Sequence, residues 1–407
     1  MSSIETALPH GLSVVDGRHI EVQIERGRIG PVRVCASTPD DDDADHRKRF
    51  ISPGFFDIQV NGYYGSDYSL DSLSYQDILG IRDRLAAAGT TQHIPTIVTL
   101  PRERLLRNLS VIAHARDNDW LIRHAIPGIH LEGPYVSSAD GPRGAHDAQY
   151  VRDPDYSEFR ELQEASRGSI VMLTLAPERK GAIAFIEKLV ADGICVGIGH
   201  SEADPDTIDR AVQAGARVST HLGNGSHVLI PRLRNYIWEQ LARDELYAGI
   251  ISDGFHLPPS VVKVFFRAKG LDRLILVSDA AFLGGCEPGI YKWGNIDVEV
   301  FPDGHLGLPG TEVLAGAGQL LDWSIAHFHR FTGVSVADTI ELCTRTPAAL
   351  LDMRKQVTQR LQVGEPANIV EFEYSESDSR LRVQRTITAG VQVFPSRSPC
   401  DSDTATA

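Results

Sequence analysis

The stretch Pro53-Gly54-Phe55-Phe56-Asp57-Ile58-Gln59-Val60-Asn61-Gly62, "PGFFDIQVNG", decides how the chain is read. Proline and glycine punctuate its start, an apolar run with β character follows, and two amides two residues apart end it. Positions i and i+2 of a strand face the same side, so Gln59 and Asn61 point together at a strand end. That is where α/β barrels keep their chemistry. Amides are poor metal ligands, so a cation here would need its ligands from other strand ends.

Seven further strand candidates follow: "TQHIPTIVT" (91–99), "IPGIHLEG" (126–133), "SIVMLTLAP" (169–177), "CVGIGHS" (195–201), "ARVSTHLGN" (216–224), "YAGIISDG" (247–254) and "LILVSDA" (274–280). Helical stretches lie between them, such as "SYQDILGIRDRLAAAG", "AIAFIEKLVADG", "DPDTIDRAVQAG" and "PPSVVKVFFRAKG", each ending near a glycine as a C′ position favours. Eight strands alternating with helices over residues 53–351 predict a (β/α)8 TIM-like barrel. A doubly wound sheet is the rival, and it does not explain polar residues at the C-terminal end of nearly every strand.

The flanks differ. Residues 1–52 read as short strands ("GLSVV", "HIEVQIERG", "PVRVCAS"), and so do "GEPANIVEFEYSE", "LRVQRTITAG" and "VQVF" after the barrel. Residues 1–52 and 352–397 are expected to pair into a small β-sandwich domain. The acidic run at Pro39–Arg49 reads as a solvated loop, and residues 398–407 as a disordered tail.

Composition narrows the function classes. The 407 residues carry 54 acidic against 40 basic side chains, a net charge of −14. That speaks against nucleic acid or an anionic membrane as a partner, though local Arg and His can still bind an anionic small molecule. Five cysteines without CxxC spacing argue against a disulfide framework or a thiolate zinc site, and for a reducing cytoplasm. The N-terminus lacks the basic-then-apolar pattern of a signal peptide, and no apolar run reaches 18 residues.

The chemistry concentrates at strand ends. "GIHLEGPYV" places Glu132 directly after an apolar strand, where a carboxylate must be solvated, paired or bound to a cation. "VGIGHSEAD" ends one strand at His200, and "RVSTHLGNGSH" ends the next at His221. Consecutive strand ends are neighbours in a barrel, so Glu132, His200 and His221 form a two-His, one-carboxylate set. Catalytic zinc takes such a set and keeps a position open for water. An ion-paired Glu and two ordinary polar histidines are the bland alternative. Asp279 in "LILVSDA" is either a helix N-cap or a general base poised to take the water proton and deliver it to a leaving group. His146 in "PRGAHD" and His256 in "ISDGFHLPP" are candidates to orient substrate or stabilise charge. Arg232 and Arg234 could clamp an anion such as phosphate.

In order along residues 50–370, "PGFFDIQVNG", "GIHLEGPY…GAHD", "GHSEAD", "THLGNG", "SDGFHLPP", "VSDA" and "LAGAG" (Leu314–Gly318) resemble the N-acetylglucosamine-6-phosphate deacetylases of the amidohydrolase superfamily. The resemblance implies a barrel with a small β-sandwich built from both termini, and a homodimer. It also implies one divalent metal ion on Glu132, His200 and His221, with zinc first and iron or cobalt as alternatives. Gln59 and Asn61 then mark a lost second-metal position, as in the Gln-x-Asn branch of the family. By the same resemblance Asp279 is the catalytic acid/base and His146 polarises the acetyl carbonyl. Ala145, Asn224, Gly225, Arg232, His256 and Leu314, Ala315 and Gly316 would contact the sugar phosphate.

The chain departs from the family pattern on the pocket wall. "HLGNGSH" stands where the family has His-Leu-Phe/Tyr-Asn-Ala-Met, and "VSDAAFLGGCEPGIYKWGN" lacks the small-residue run after the aspartate. The expected function is metal-dependent hydrolysis of the N-acetyl amide of an amino sugar, N-acetylglucosamine 6-phosphate first. Another N-acyl amino sugar, a cyclic amide, or a non-catalytic ligand-binding barrel are the alternatives.

Overall fold

The protein is described by a computed structural model covering residues 8–36, 47–293, 296–311 and 313–395. The expectations for the 398–407 tail and for most of the acidic run at Pro39–Arg49 concern residues outside these. Eight parallel strands form the central sheet: Phe55–Val60, Thr90–Ile97, Ile129–Glu132, Ile170–Leu175, Cys195–Ile198, Val218–Ser219, Tyr247–Ile250 and Leu274–Leu276. They are hydrogen-bonded in chain order from first to last. Each of the eight overlaps a segment read as a strand, seven of them lying wholly inside it and Thr90–Ile97 starting one residue earlier.

The sheet closes on itself at one point. Val60 bridges Ala280, the Asn61 N–H donates to the Ala280 carbonyl at 2.9 Å, and the Asp279 N–H donates to the Gln59 carbonyl at 3.0 Å. Closure thus ties the amide pair of the first strand to the aspartate of the eighth. Strict alternation does not survive in the first strand. Its register against the second shifts on both sides of Asp57, a bulge-type irregularity that re-aims side chains.

The helices packed outside the barrel follow the expected punctuation. Helix Tyr75–Ala87 starts with a capping box between Ser74 and Asp77, and Pro205–Gln213 starts with Asp204 accepting from the Thr207 N–H. Helix Pro259–Arg273 is broken at Gly270, whose φ of 62° leaves helical space. A large core cluster lies between helices and strands, with Ile78, Leu109, Leu131, Phe159, Leu173, Leu189 and Ile208 among its buried members.

The terminal segments meet as expected. Strands from both ends of the chain interleave in one seven-stranded sheet, ordered Val391–Phe394, Arg382–Thr388, Ile369–Tyr374, Lys48–Pro53, His10–Ser13, His19–Glu25, Arg28–Val34. Lys48–Pro53 pairs antiparallel with Ile369–Tyr374. The sheet curls: Arg28 bridges Pro366, and Ile20, Val22, Ile29, Ile51, Ile369 and Ile387 pack together inside it. A third element was not anticipated from the sequence. Strands Gly289–Trp293, Ile296–Val300 and Leu306–Gly307 form a small antiparallel sheet after the eighth barrel strand. It carries the Leu314–Gly318 segment back to the barrel, where Ala317 bridges Ala280.

Candidate active site

Register brings the site together. Gly197 and Ile198 pair with Val218 and Ser219, so two residues on, at the strand ends, His200 and His221 stand side by side. Glu132 pairs with Thr174 on the strand between. The chain bends sharply at these ends. His200, His221 and Asp279 all have positive φ, at 51°, 29° and 50°. Non-glycine residues pay about 1–2 kcal/mol for this region, and such strain gathers at functional sites. It turns each side chain off the strand axis and into the barrel mouth.

Glu132, His200 and His221 are buried, and their polar atoms converge. Glu132 Oε1 lies 3.1 Å from His200 Nε2 and 2.9 Å from His221 Nε2, and the two nitrogens are 3.0 Å apart. Ligands held tetrahedrally at about 2.0–2.2 Å from zinc are about 3.3–3.6 Å from one another. The triangle is therefore nearly the size a divalent cation requires, and the donor set of two imidazoles and one carboxylate suits it. Electrostatics agree. Burial pushes the Glu132 carboxyl up, but the hydrogen bonds from His200 and His221 outweigh it and hold it well below the carboxylate range. Burial pulls His221 down, yet Glu132 lifts it to about 9. The cluster thus attracts positive charge, which a cation would supply in place of that proton. Gly225 (φ 55°) lies over the His200 ring: a Cβ there would sit 2.7 Å from Nδ1.

The amides touch two different partners. Gln59 Nε2 donates to Glu132 Oε1 at 3.1 Å, and Asn61 Nδ2 donates to Asp279 Oδ1 at 2.7 Å. Asp279 is pushed up to about 6, first by burial, while His221 pulls it down and Glu132 up. His146 is buried with its ring edge-on to His200, centroids 4.2 Å apart. Burial and the neighbouring His200 hold it well below the usual histidine range, so it is neutral.

Comparison with known proteins identifies the family. No family model matches the chain. The N-acetylglucosamine-6-phosphate deacetylase of Danio rerio is 32% identical over 367 residues, covering 86% of this chain and 87% of that protein. The chain belongs to the N-acetylglucosamine-6-phosphate deacetylase family. The Bacillus subtilis deacetylase is likewise 32% identical, over 79% of this chain and 80% of its own length. Among solved structures, a mutant N-acetyl-D-glucosamine-6-phosphate deacetylase from Mycobacterium smegmatis, in complex with N-acetyl-D-glucosamine-6-phosphate, has a TM-score of 0.77 at 28% identity, with 92% of this chain and 95% of that one covered. The Thermotoga maritima deacetylase gives 0.78 at 27% identity, with 96% and 99% covered.

The remaining expected deacetylase contacts divide. Leu314, Ala315 and Gly316 run beside the Asp279 strand, held by the Ala315 N–H to Leu306 carbonyl bond and the Ala280–Ala317 bridge. Asn224 folds back on the His221 carbonyl through both its N–H and its side chain, at 2.9 and 3.2 Å. His256 is held by Asp253, whose Oδ2 is 2.7 Å from its Nδ1. Ala145 is exposed on the loop before His146. Arg232 is exposed, and among the described residues no contact ties its side chain to the cluster. Arg234 pairs on the surface with Asp206 at 3.2 Å.

Sequence reasoning missed Thr99, Asp253 and Asp57. The spacing of Asp253 three residues before His256 was the available signal for one of them. Asp57 had none: it is wholly buried, Oδ1 accepts from the N–H groups of Gln59 and Ser278 at 3.3 and 3.2 Å, and Oδ2 has no partner. Burial lifts it from 3.8 to about 7, with the Ser278 and Gln59 hydrogen bonds opposing. Between those values the folded state keeps a proton that the unfolded chain has shed. Its stabilising contribution is therefore full below pH 3.8 and lost as pH rises through 7. Asp57→Asn removes that dependence. The stability of the variant relative to the parent should improve by about 3 kcal/mol from pH 5 to pH 8, read by urea unfolding at both values. A pH-independent difference would show Asp57 ionised throughout.

Proposed function

We propose that this chain is a metal-dependent deacetylase that hydrolyses the N-acetyl amide of N-acetylglucosamine 6-phosphate to acetate and the free amine. The observation that carries the reading is the convergence of Glu132, His200 and His221 beside Asp279 in a chain of this family. A divalent ion on those three residues would supply the Lewis acid that activates water and substrate; zinc is the ion proposed, since imidazole and carboxylate donors suit it. Asp279 accepts the proton of the attacking water and returns it to the departing nitrogen, so that the amine leaves neutral. His146 donates a hydrogen bond to the acetyl oxygen as charge develops there. Gln59 and Asn61 occupy the position of a second cation, Gln59 steadying Glu132 and Asn61 steadying Asp279. His256, Asn224, Gly225, Ala145, Arg232 and Leu314–Gly316 form the proposed sugar-phosphate rim.

Residues 53–351 are proposed as the hydrolase unit, with 1–52 and 352–397 as the small sandwich. A cytoplasmic homodimer is proposed as well. Cys35, Cys195, Cys286 and Cys343 are free thiols, which suits a reducing compartment. Among the described residues no helix is long and apolar enough to cross a membrane. Val228, Leu229 and Leu233 are 97%, 89% and 79% exposed on the loop after His221, an apolar patch that a second copy would cover.

Acetate release from N-acetylated amino sugars, with and without a 6-phosphate, by protein loaded with zinc, cobalt or iron tests the reading. We expect kcat/KM at least about 100-fold higher with the phosphate, the scale of a pocket built for a charged group. Preference for an unphosphorylated sugar would favour the alternative substrate class that the "HLGNG" segment suggests. No release from any of them would leave a ligand-binding barrel.

A further inference from the structure

We propose that Thr99 fixes the tautomer of His146, placing its single ring proton on Nε2, the nitrogen free to face substrate. The inference rests on the reading of His146 as the residue that polarises the acetyl carbonyl. Thr99 follows the second barrel strand and is buried, as is His146. Its backbone N–H points at His146 Nδ1 from 3.3 Å. A peptide N–H can only donate, so Nδ1 must present a lone pair. The Thr99 hydroxyl oxygen lies 2.7 Å from the same nitrogen, and a hydroxyl turns its hydrogen to whichever acceptor it meets. Both donors of one residue therefore converge on Nδ1. A proton there would face the Thr99 N–H directly.

The opposite arrangement holds at His256. Its Nδ1 meets the Asp253 carboxylate, which accepts, so that ring carries its proton on Nδ1. Two histidines of the proposed site are thus set as opposite tautomers by different partners.

The consequence at His146 is twofold. A neutral Nε2–H donates to an oxygen that gains charge in the transition state. It also has no lone pair to offer a cation, although the ring touches His200. The other tautomer would turn a lone pair, not a donor, toward the acetyl oxygen. Gly133 permits the arrangement: a side chain there would run into the Thr99 hydroxyl, and its φ is 92°. The residue after Glu132 therefore leaves room for the group that sets His146.

Thr99→Val keeps shape and removes the hydroxyl; Thr99→Ser keeps it. In zinc-loaded protein with 15N-labelled histidine, the His146 signals, assigned by their loss in His146→Gln, should show a bare Nδ1 and a protonated Nε2. Thr99→Val keeps the peptide N–H and loses the nearer donor, so it should shift the signals partway toward Nδ1–H and lower kcat about 10–100-fold, the range seen when an orienting partner is lost, with KM within about threefold. Thr99→Ser should stay within about threefold of the parent. A protonated Nδ1 in the parent overturns the proposal, and so does Thr99→Val with tautomer and kcat unchanged. If Thr99→Val fails to fold, the parent spectrum and the Ser variant still decide. Full activity in His146→Gln, with the tautomer as described, would instead remove the carbonyl-polarising role and leave that of Thr99 supported.

Discussion

Asp279→Asn should bind one equivalent of metal and lose about 10⁴-fold in kcat. Nothing in the fold requires the charge. Asparagine tolerates the positive φ of 50° at this position better than most residues. The backbone N–H still reaches the Gln59 carbonyl, and Asn61 Nδ2 still finds an oxygen at the place of Oδ1. The carboxylate is asked to do two things in sequence, accept a proton and return it, and each such step is worth about 10²–10⁴-fold. An amide does neither. The pH profile carries the same signature. Asp279 must be ionised to accept, and burial has raised it to about 6. In the parent, kcat/KM therefore rises with pH through the acid range, and a bound cation shifts that limb lower. The limb should vanish with Asp279→Asn. Metal analysis beside steady-state rates decides: a variant within tenfold of the parent removes Asp279 from the reaction.

The barrel was legible because its strands are nearly continuous apolar runs ending in polar residues, the pattern of parallel strands covered on both faces. The Glu-His-His cluster was legible for the same reason. Glu132, His200 and His221 each follow such a run, and chain order makes neighbours of the last two. What stayed hidden depends on contacts between distant segments. Thr99 meets His146 47 residues away, and Asp57 meets the Ser278 N–H across the barrel closure. Neither partner leaves a mark in local spacing. Period-2 reasoning placed Gln59 and Asn61 on one side, and both do reach the site, but to different partners, because bulging around Asp57 breaks the alternation. The three-stranded insert after the eighth strand escaped notice since its strands are short and the first, Gly289–Trp293, is nowhere fully buried. Arg232 shows the converse: an arginine at a motif position, yet exposed and apart from the cluster in a single chain.

Glu132→Gln should abolish tight metal binding and with it the activity, while the barrel still folds. The substitution preserves shape in a buried place. Glu132 Oε1 is the common point of three nitrogens, those of Gln59, His200 and His221. An amide oxygen can accept from some of them, so the polar contacts are only partly lost. The charge is lost entirely. It is this carboxylate that lifts His221 to about 9 against its burial, and the same attraction would hold a divalent cation. Without it, two neutral imidazoles remain, and a carboxylamide is a weak ligand. We expect the affinity for zinc to fall at least about 100-fold, measured as metal retained after dialysis against a weak chelator. Thermal unfolding gives a second reading. A ligand bound only by the folded state stabilises it by about 4 kcal/mol at a thousand times its Kd, so added zinc should raise the Tm of the parent and leave that of Glu132→Gln nearly unmoved. A variant that keeps its full equivalent of zinc through dialysis, with the same rise in Tm, would mean that the cation is held elsewhere and that Glu132 serves only to pair the two histidines.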